Sequence, residues 1–291
     1  MLMNLRHFRI FLAVCDSLSM TAAAKTLYIS QPSISQAIAE LERYYGVRLF
    51  ERLNHKLYQT SAGARLQSYA LHILNLEEQA RKELAGYQSG GSLRIGASLT
   101  IGAYLMPQLV AAFRKQKPEV SLFTTVENTR EIEKMLLADQ IDFGLVEGLI
   151  TSADILEETM RMDELVIVCG PENSLGQEKG LRVTDLQDQP FIIRESGSGT
   201  RILFEFFMNE AGVRWKTAGV YNNIEALKQA VKQDLGLGIL PKIAIVAEEI
   251  NRELIPLDIT GLVLKRKFNL VYHQQKYLTP AMQAFRQICL G

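Results

Sequence analysis

The side chains best placed for chemistry in this 291-residue chain are amides and hydroxyls rather than nucleophiles or metal ligands. Gln31, Ser33, Gln36 and Arg43 fall on one face of the segment from Ser30 to Tyr45. Short amides and hydroxyls near a helix N-terminus suit base edges and phosphates in a major groove. Two later loops offer a different chemistry. Ala97-Ser98-Leu99-Thr100-Ile101-Gly102 and Arg194-Glu195-Ser196-Gly197-Ser198-Gly199-Thr200-Arg201 each lead from an expected strand into an expected helix. Glycines allow close backbone approach there, and N–H groups, hydroxyls and Arg201 favour an anion at the positive helix end. Glu147, in Val146-Glu147-Gly148, is a weaker candidate that could equally cap or salt-bridge.

The elements that position the first set are a short helix, a tight turn and a second helix. Thr21 is placed to cap the first, and Ala22, Ala23 and Ala24 let it pack closely. Ser30 can cap the second, with Pro32 in its first turn, where a missing N–H costs nothing. Ile34, Ile38, Leu41 and Tyr45 then form one inward apolar stripe. Any helical hairpin in a core could show such a stripe, so periodicity alone leaves a solvated face open beside a DNA-reading one.

The whole segment decides more than any residue in it. Ala23-Ala24, Leu27, Ser30-Gln31-Pro32-Ser33-Ile34-Ser35, Leu41-Glu42, Gly46, Leu49-Phe50, Arg52, Thr60 and Ala62-Gly63 together resemble the LysR-type transcriptional regulators, and the likeness runs over essentially the full length. The resemblance implies a winged helix-turn-helix with its wing between Phe50 and Thr60. Tyr58-Gln59 and His55 depart from the family's usual wing residues. Within this likeness Gln31, Ser33 and Gln36 are expected to read bases, Thr21, Ser35 and Arg52 to hold phosphates, and Arg43 to lie on the same face.

Length and charge agree with a multidomain regulator. A chain of 291 residues exceeds the usual single domain, and 47% hydrophobic residues are ample for its cores. No apolar run approaches the ~20 residues that span a bilayer, and the stretch Ile10–Cys15 lacks a cleavage site, so a cytoplasmic protein without membrane contact is expected. Residues 1–65 carry eight basic against four acidic side chains, a surplus of +4 that the remaining residues cancel. A basic head on an acidic body suits one end that meets phosphates. Cys15, Cys169 and Cys289 are far apart in apolar surroundings and read as buried thiols. His7, His55, His72 and His273 show no metal-ligand spacing, and no nucleophile elbow or phosphate loop appears. Neither a metal nor a cofactor is expected.

Residues 61–87 read as one helix of ~40 Å. Leu66, Tyr69, Ile73, Leu76 and Ala80 repeat at spacings of three and four, the seam of a two-stranded coil, although packing on its own domain would leave the same trace. Gln88-Ser89-Gly90-Gly91-Ser92 follows as a hinge. Beyond it strands alternate with helices, which argues for α/β folding with largely parallel sheets. Expected strands include 93–97, 120–126, 143–146, 165–169 and 265–273. Expected helices include 101–115, 129–137, 224–232 and one from Lys242.

The combined expectation has three parts. A mostly α, winged helix-turn-helix domain occupies 1–60, a linker helix and hinge 61–91, and an effector domain 92–291. The resemblance implies that the last is an α/β domain like a type 2 periplasmic binding protein, with subdomain I at 92–163 and 268–291 and subdomain II at 164–267. Its effector is expected between the subdomains, at Ser98, Thr100, Ser196, Gly197, Ser198, Gly199, Thr200 and Arg201, with Glu147 at the edge. The Gly-rich loop taken alone reads rather as a turn with Thr200 as a cap, and the resemblance tips it towards a ligand site. Donors with little apolar lining, and Glu195 as the only acid of the loop 194–201, suit an inorganic oxyanion or small organic acid. Expected partners are double-stranded DNA with a two-fold symmetric site, a second copy or three further copies of the chain, and RNA polymerase. A solute-binding transport component, or a small-molecule enzyme with an accessory DNA domain, are the alternatives.

Overall fold

The computed structural model describes residues 3–54, 56–85 and 91–291. They form two compact units, one before and one after the hinge region. The first comprises α1 (Leu5–Ser17), α2 (Met20–Thr26), α3 (Gln31–Tyr45), β1 (Phe50–Leu53), β2 (Lys56–Gln59) and α4 (Ser61–Ala85). Phe8, Phe11 and Val14 of α1, Ala23 and Ala24 of α2, Ile34, Ile38 and Leu41 of α3, and Leu66 and Ala70 of α4 share one core. The small Ala pair lets α2 approach its neighbours, as the sequence indicates.

Two expectations in this unit change. The cap of α2 is Ser19, whose side chain accepts from the Ala22 N–H at 3.2 Å, and Thr21 lies exposed within the first turn. Leu18 turns the chain in the left-handed region (φ 46°) and Ser19 is extended, so the helix begins two residues earlier than Thr21 capping requires. Tyr45, expected at the end of the buried stripe, is 40% exposed beside the left-handed Gly46 that ends α3. Ser30 does cap α3, accepting from Ser33 N–H at 3.3 Å.

The wing is the antiparallel pair β1–β2, with Phe50 opposite Gln59 and Leu53 opposite Lys56. Glu42 fixes its base, its carboxylate accepting from the Leu49 N–H at 2.8 Å and the Phe50 N–H at 3.3 Å. Thr60 closes the other side by donating to the Arg48 carbonyl at 2.7 Å and accepting from the Gly63 N–H at 3.0 Å. His55 and Tyr87, and the expected hinge through Gly90, lie outside the described residues. Along α4, Leu66 is buried, whereas Tyr69, Ile73, Leu76 and Ala80 are exposed.

The second unit runs β3 (Ser92–Ala97), α5 (Leu99–Tyr104), α6 (Met106–Gln116), β4 (Ser121–Val126), α7 (Thr129–Leu137), β5 (Phe143–Val146) and β6 (Ile155–Cys169). It continues with β7 (Pro190–Arg194), α8 (Gly199–Glu210), β8 (Lys216–Tyr221), α9 (Ile224–Lys232), β9 (Leu237–Pro241), α10 (Val246–Ile250), β10 (Ile255–Pro256), β11 (Leu264–His273) and α11 (Pro280–Leu290). The strands join in one sheet ordered β4-β3-β5-β11-β6-β9-β7-β8, with β10 also paired to β6. Pairing is parallel towards both ends and antiparallel at the centre, where β6 and β11 run side by side from Ile155–His273 to Leu165–Leu264. The sheet is thus less parallel than its alternating pattern suggests. One end packs Phe113, Phe143 and Phe285 beneath it, and the other Phe191, Phe204 and Trp215.

The helix expected at 101–115 is two helices, broken at Leu105, where the following Pro107 cannot donate to an uninterrupted ladder. A 3-10 turn at Lys242–Ala244 precedes α10 where one helix was expected. Strand β6 starts ten residues before the expected Leu165, because its first half mixes exposed residues such as Glu157, Thr159 and Arg161 with partly buried ones and makes no continuous apolar run. All three cysteines are buried, and burial pushes the Cys15 and Cys289 thiols up to about 12 and Cys169 to about 11. Reactive thiolates are therefore scarce at neutral pH.

Gly63 gives a direct test of the head's packing. A Cβ there would collide with the Leu49 carbonyl and lie 2.9 Å from Gln59 Cγ. Helix propensity favours alanine by ~1 kcal/mol, but a clash with backbone outweighs it. Gly63→Ala should destabilise the head by about 1–3 kcal/mol in urea unfolding. A more stable variant would contradict this packing.

Candidate functional site

The first candidate site is the cleft between the helix pair and the wing. Ser19, Thr21, Gln31, Arg52, Lys56 and Tyr58 line a cavity of about 620 Å³ there, with Leu18, Met20 and Leu57. The fold thus brings Thr21 and Gln31 to Arg52, from 21 residues further along the chain than Gln31, and adds Ser19, Lys56 and Tyr58, which the sequence reading did not single out. Their signal was available, since Lys56 and Tyr58 alternate along β2. Ser33, Ser35 and Gln36 lie on α3 outside that lining. Gln36 is exposed and donates to Glu40 at 2.9 Å, while Gln31 donates to Ser35 at 2.7 Å. Glu40 also meets His7 at 2.9 Å, and the hydrogen bond from His7 holds its carboxyl below the usual carboxylate range. Arg43 is exposed on the last turn of α3.

The second site lies within the α/β unit, where the loops after β3, β5 and β7 converge. Ser98 begins α5, its N–H donating to the Leu145 carbonyl at 2.8 Å and its hydroxyl to the same oxygen at 3.3 Å. Ser198, not Thr200, occupies the cap position of α8, and its hydroxyl makes no cap bond. Thr200 instead accepts from Arg266 Nη1 at 2.8 Å, and Thr100 from Arg266 Nη2 at 3.4 Å. One guanidinium therefore spans both hydroxyl-bearing loops. Arg266 Nε donates to Asp163 at 2.7 Å, and Nη1 lies 3.8 Å from Glu147 Oε1. Arg266, Thr100, Thr200, Ser98, Ser198 and Glu147 are all buried.

Glycine permits the convergence. A Cβ on Gly199 would lie 2.8 Å from the Gly148 nitrogen, so the end of β5 and the start of α8 meet backbone to backbone. Gly197 adopts φ +90° with its α-carbon side against Asn128 and Arg130. Two expected residues stand apart from the cluster. Ser196 is exposed, and Arg201 bonds along its own surroundings, to Glu205 at 2.7 Å and the Arg194 carbonyl at 3.2 Å.

The charge inventory also changes. Glu195 was the only acid expected in the loop 194–201, with none beside Ser98 and Thr100 and with Glu147 at the edge. The structure instead buries Glu147 and Asp163 beside Arg266, while Glu195 pairs with the buried Arg194 at 2.8 and 3.0 Å. Burial raises the Glu147 carboxyl above the usual range, and the attraction of Arg266 only partly opposes it. Its Oε2 has no hydrogen-bond partner.

Residues 5–64 match the bacterial regulatory helix-turn-helix protein, lysR family, and residues 87–291 match the LysR substrate binding domain. The chain belongs to the LysR family of transcriptional regulators. It is 34% identical to the RuBisCO operon transcriptional regulator of Allochromatium vinosum over 99% of this chain and 96% of that one. Identity to the HTH-type transcriptional regulator CysL of Bacillus subtilis is 33%, covering 90% of this chain and 88% of the other. The regulatory domain of Synechocystis CcmR, solved in complex with 2-PG, superposes with a TM-score of 0.64 at 25% identity, over 68% of this chain and 95% of that domain. A LysR-family regulator binds DNA through its head and a small molecule through its α/β domain, and it is not an enzyme. Among the described residues no helix is long and apolar enough to cross a membrane.

Arg266 is the central residue that sequence reasoning missed in this LysR-family chain. It sits in Leu264-Lys265-Arg266-Lys267-Phe268, where alternation reads as an inward basic residue between two outward ones. Such an inward arginine in a strand was the available signal. Removing it strands Asp163 without its donor. Arg266→Met should lower the stability of the α/β unit by about 3–5 kcal/mol in denaturant unfolding. A loss below ~1 kcal/mol would show that Asp163 finds other partners.

Proposed function

We propose that this regulator responds to a small oxyanion or organic acid bound where the loops after β3, β5 and β7 meet, and that binding changes how its heads engage DNA. The observation that carries the reading is Arg266 joined to Thr100 on one loop and Thr200 on another. An anion at that point gains the guanidinium, the hydroxyls and the N-terminal N–H groups of α8 together. The complex of the CcmR regulatory domain with 2-PG supports an anionic ligand class. The ligand contacts in this reading are Ser98, Thr100, Glu147, Ser198 and Thr200, with Gly197 and Gly199 giving backbone access. Ser196 and Arg201 join only if the loop rearranges. Subdomain boundaries at 163/164 and 267/268 place the division inside β6 and β11, next to the register shift between Phe268 and Asn269.

On the DNA side, Gln31, Ser33 and Gln36 read bases in this proposal, and Thr21, Ser35, Arg43 and Arg52 meet phosphates. The exposed stripe Tyr69, Ile73 and Leu76 on α4 supports pairing with a second copy, which matches a two-fold symmetric site. A tetramer and contact with RNA polymerase extend the same reading, in the cytoplasm.

Two measurements test these roles. Thermal-shift and calorimetric titration with sulfate, phosphate and 2-phosphoglycolate should show saturable binding, weakened at least tenfold in Ser98→Ala/Thr200→Ala. Binding of neutral aromatics alone, or a double mutant with full affinity, would refute the anion reading. For DNA, Gln36→Ala should cost about 1–3 kcal/mol on the cognate site with little change on random DNA. Arg52→Ala should weaken both and lower the salt slope by ~1. Equal losses on both DNAs for Gln36→Ala would remove it from the specificity set.

A further inference from the structure

The buried cluster holds more acids than an anion site can easily tolerate. Two arginines, Arg266 and Arg194, face three carboxylates, Asp163, Glu195 and Glu147. The three acids are not equivalent. Asp163 accepts from Arg266 Nε at 2.7 Å, and Glu195 accepts two bonds from Arg194 at 2.8 and 3.0 Å. Glu147 has neither arrangement. Its Oε1 stands 3.8 Å from Arg266, beyond hydrogen-bond reach, its one side-chain hydrogen bond is with Thr100, and its Oε2 is buried with no partner. A second orphan lies close by, the buried hydroxyl of Thr129 at the start of α7, 2.8 Å from where a Cβ on Gly148 would stand.

An incoming anion and an ionised Glu147 would compete for the same face of Arg266 and repel each other. Protonation removes that conflict. With Glu147 neutral, the pairs Arg266–Asp163 and Arg194–Glu195 balance, and Oε2 becomes either a donor or the neighbour of one. We propose that the effector is an oxyanion whose oxygens only accept hydrogen bonds, and that it binds with Glu147 as a neutral carboxyl donating to it, so that binding is linked to one proton drawn from solvent. Arg266 supplies the opposing charge, and Thr100 and Thr200 supply hydroxyls. This rests on the anion reading above and adds the protonation state and the ligand's acceptor-only character. The other charged groups at Glu147 are Arg266 on β11, Arg194 on β7 and Asp163 on β6. Arg266 donates to Asp163 and Arg194 donates to Glu195, so both arginines are paired with acids other than Glu147.

The burial that raises the Glu147 carboxyl fits this role but fixes no midpoint. The linkage sign follows from one added proton. Below the pH at which free Glu147 ionises, affinity is flat. Above it, affinity falls up to tenfold per pH unit, because the ionised group must first take up a proton. Glutamine has nearly the same shape, stays neutral and donates, so it mimics the bound state at every pH.

The test is calorimetric titration of the full chain with sulfate and with 2-phosphoglycolate, from pH 6 to pH 8.5, for wild type and Glu147→Gln. The ratio of variant to wild-type affinity should rise with pH, towards tenfold per unit where Glu147 of the free protein is ionised. An affinity ratio that does not change with pH, or a variant weaker throughout, overturns the proposal. If the variant does not fold, the wild-type profile with sulfate, which does not itself titrate in this range, decides: a flat profile overturns the proposal and a fall towards tenfold per unit supports it. Absence of binding by either anion at any pH defeats the anion reading itself, and this inference with it.

Discussion

A guanidinium buried among β-strands cannot stay there without partners, and the α/β unit is arranged around that requirement. Arg266 projects from β11 with only 6% of its surface exposed. Leaving it unpaired would cost several kcal/mol, more than most domains can lose. Its donors are therefore spent on Asp163, Thr200 and Thr100, and its face rests over the Phe268 ring, 5.6 Å from the centroid. Those partners come from β6, α8 and α5, so satisfying one side chain brings three segments of the sequence to one point. The bonds to Thr100 and Thr200 are the contacts an anionic ligand could exchange for its own.

The same constraint explains why the glycines matter here. For one guanidinium to reach both threonines, the loops carrying them must lie close. Gly148 and Gly199 allow this by meeting without side chains between them, and Gly197 adopts a left-handed conformation. In the head a comparable logic uses a carboxylate. Glu42 receives the N–H groups that would otherwise be orphaned where α3 gives way to the wing, and Thr60 ties the far end of the wing to Arg48. Both units place polar groups from rigid helices and strands at concave surfaces, which keeps recognition geometry independent of long, mobile side chains.

Much of this was legible in the residues. The helices at 129–137 and 224–232 and the strand at 143–146 end where the apolar period ends, because Asn128 and Asn223 cap the helices and each face is amphipathic. The capping serine of α3 was equally plain, and the wing hairpin followed from the family resemblance. Other features were not. Glu157, Glu158 and Asp163 break up the apolar signal of β6, so half of that strand was hidden. The cap of α2 shifted from Thr21 to Ser19 because two hydroxyl residues, separated by one residue, satisfy the same rule and only the left-handed Leu18 selects between them. Arg266 was hidden by sequence distance. Nothing local says that an arginine in a basic strand meets threonines 66 and 166 residues away. At the loop 194–201 the guanidinium that reaches the threonines is Arg266 rather than Arg201, and Asp163 beside it went unnoticed while Glu147 was placed at the edge.

In the proposed binding mode one ligand engages loops from both halves of the sheet at Arg266. Amide hydrogen exchange of the full chain, with and without saturating sulfate, tests it most directly. Slower exchange should appear together in the segments 97–105, 144–149 and 195–203, since all three surround that guanidinium. Protection confined to one of these segments, or found only elsewhere in the chain, would contradict the account.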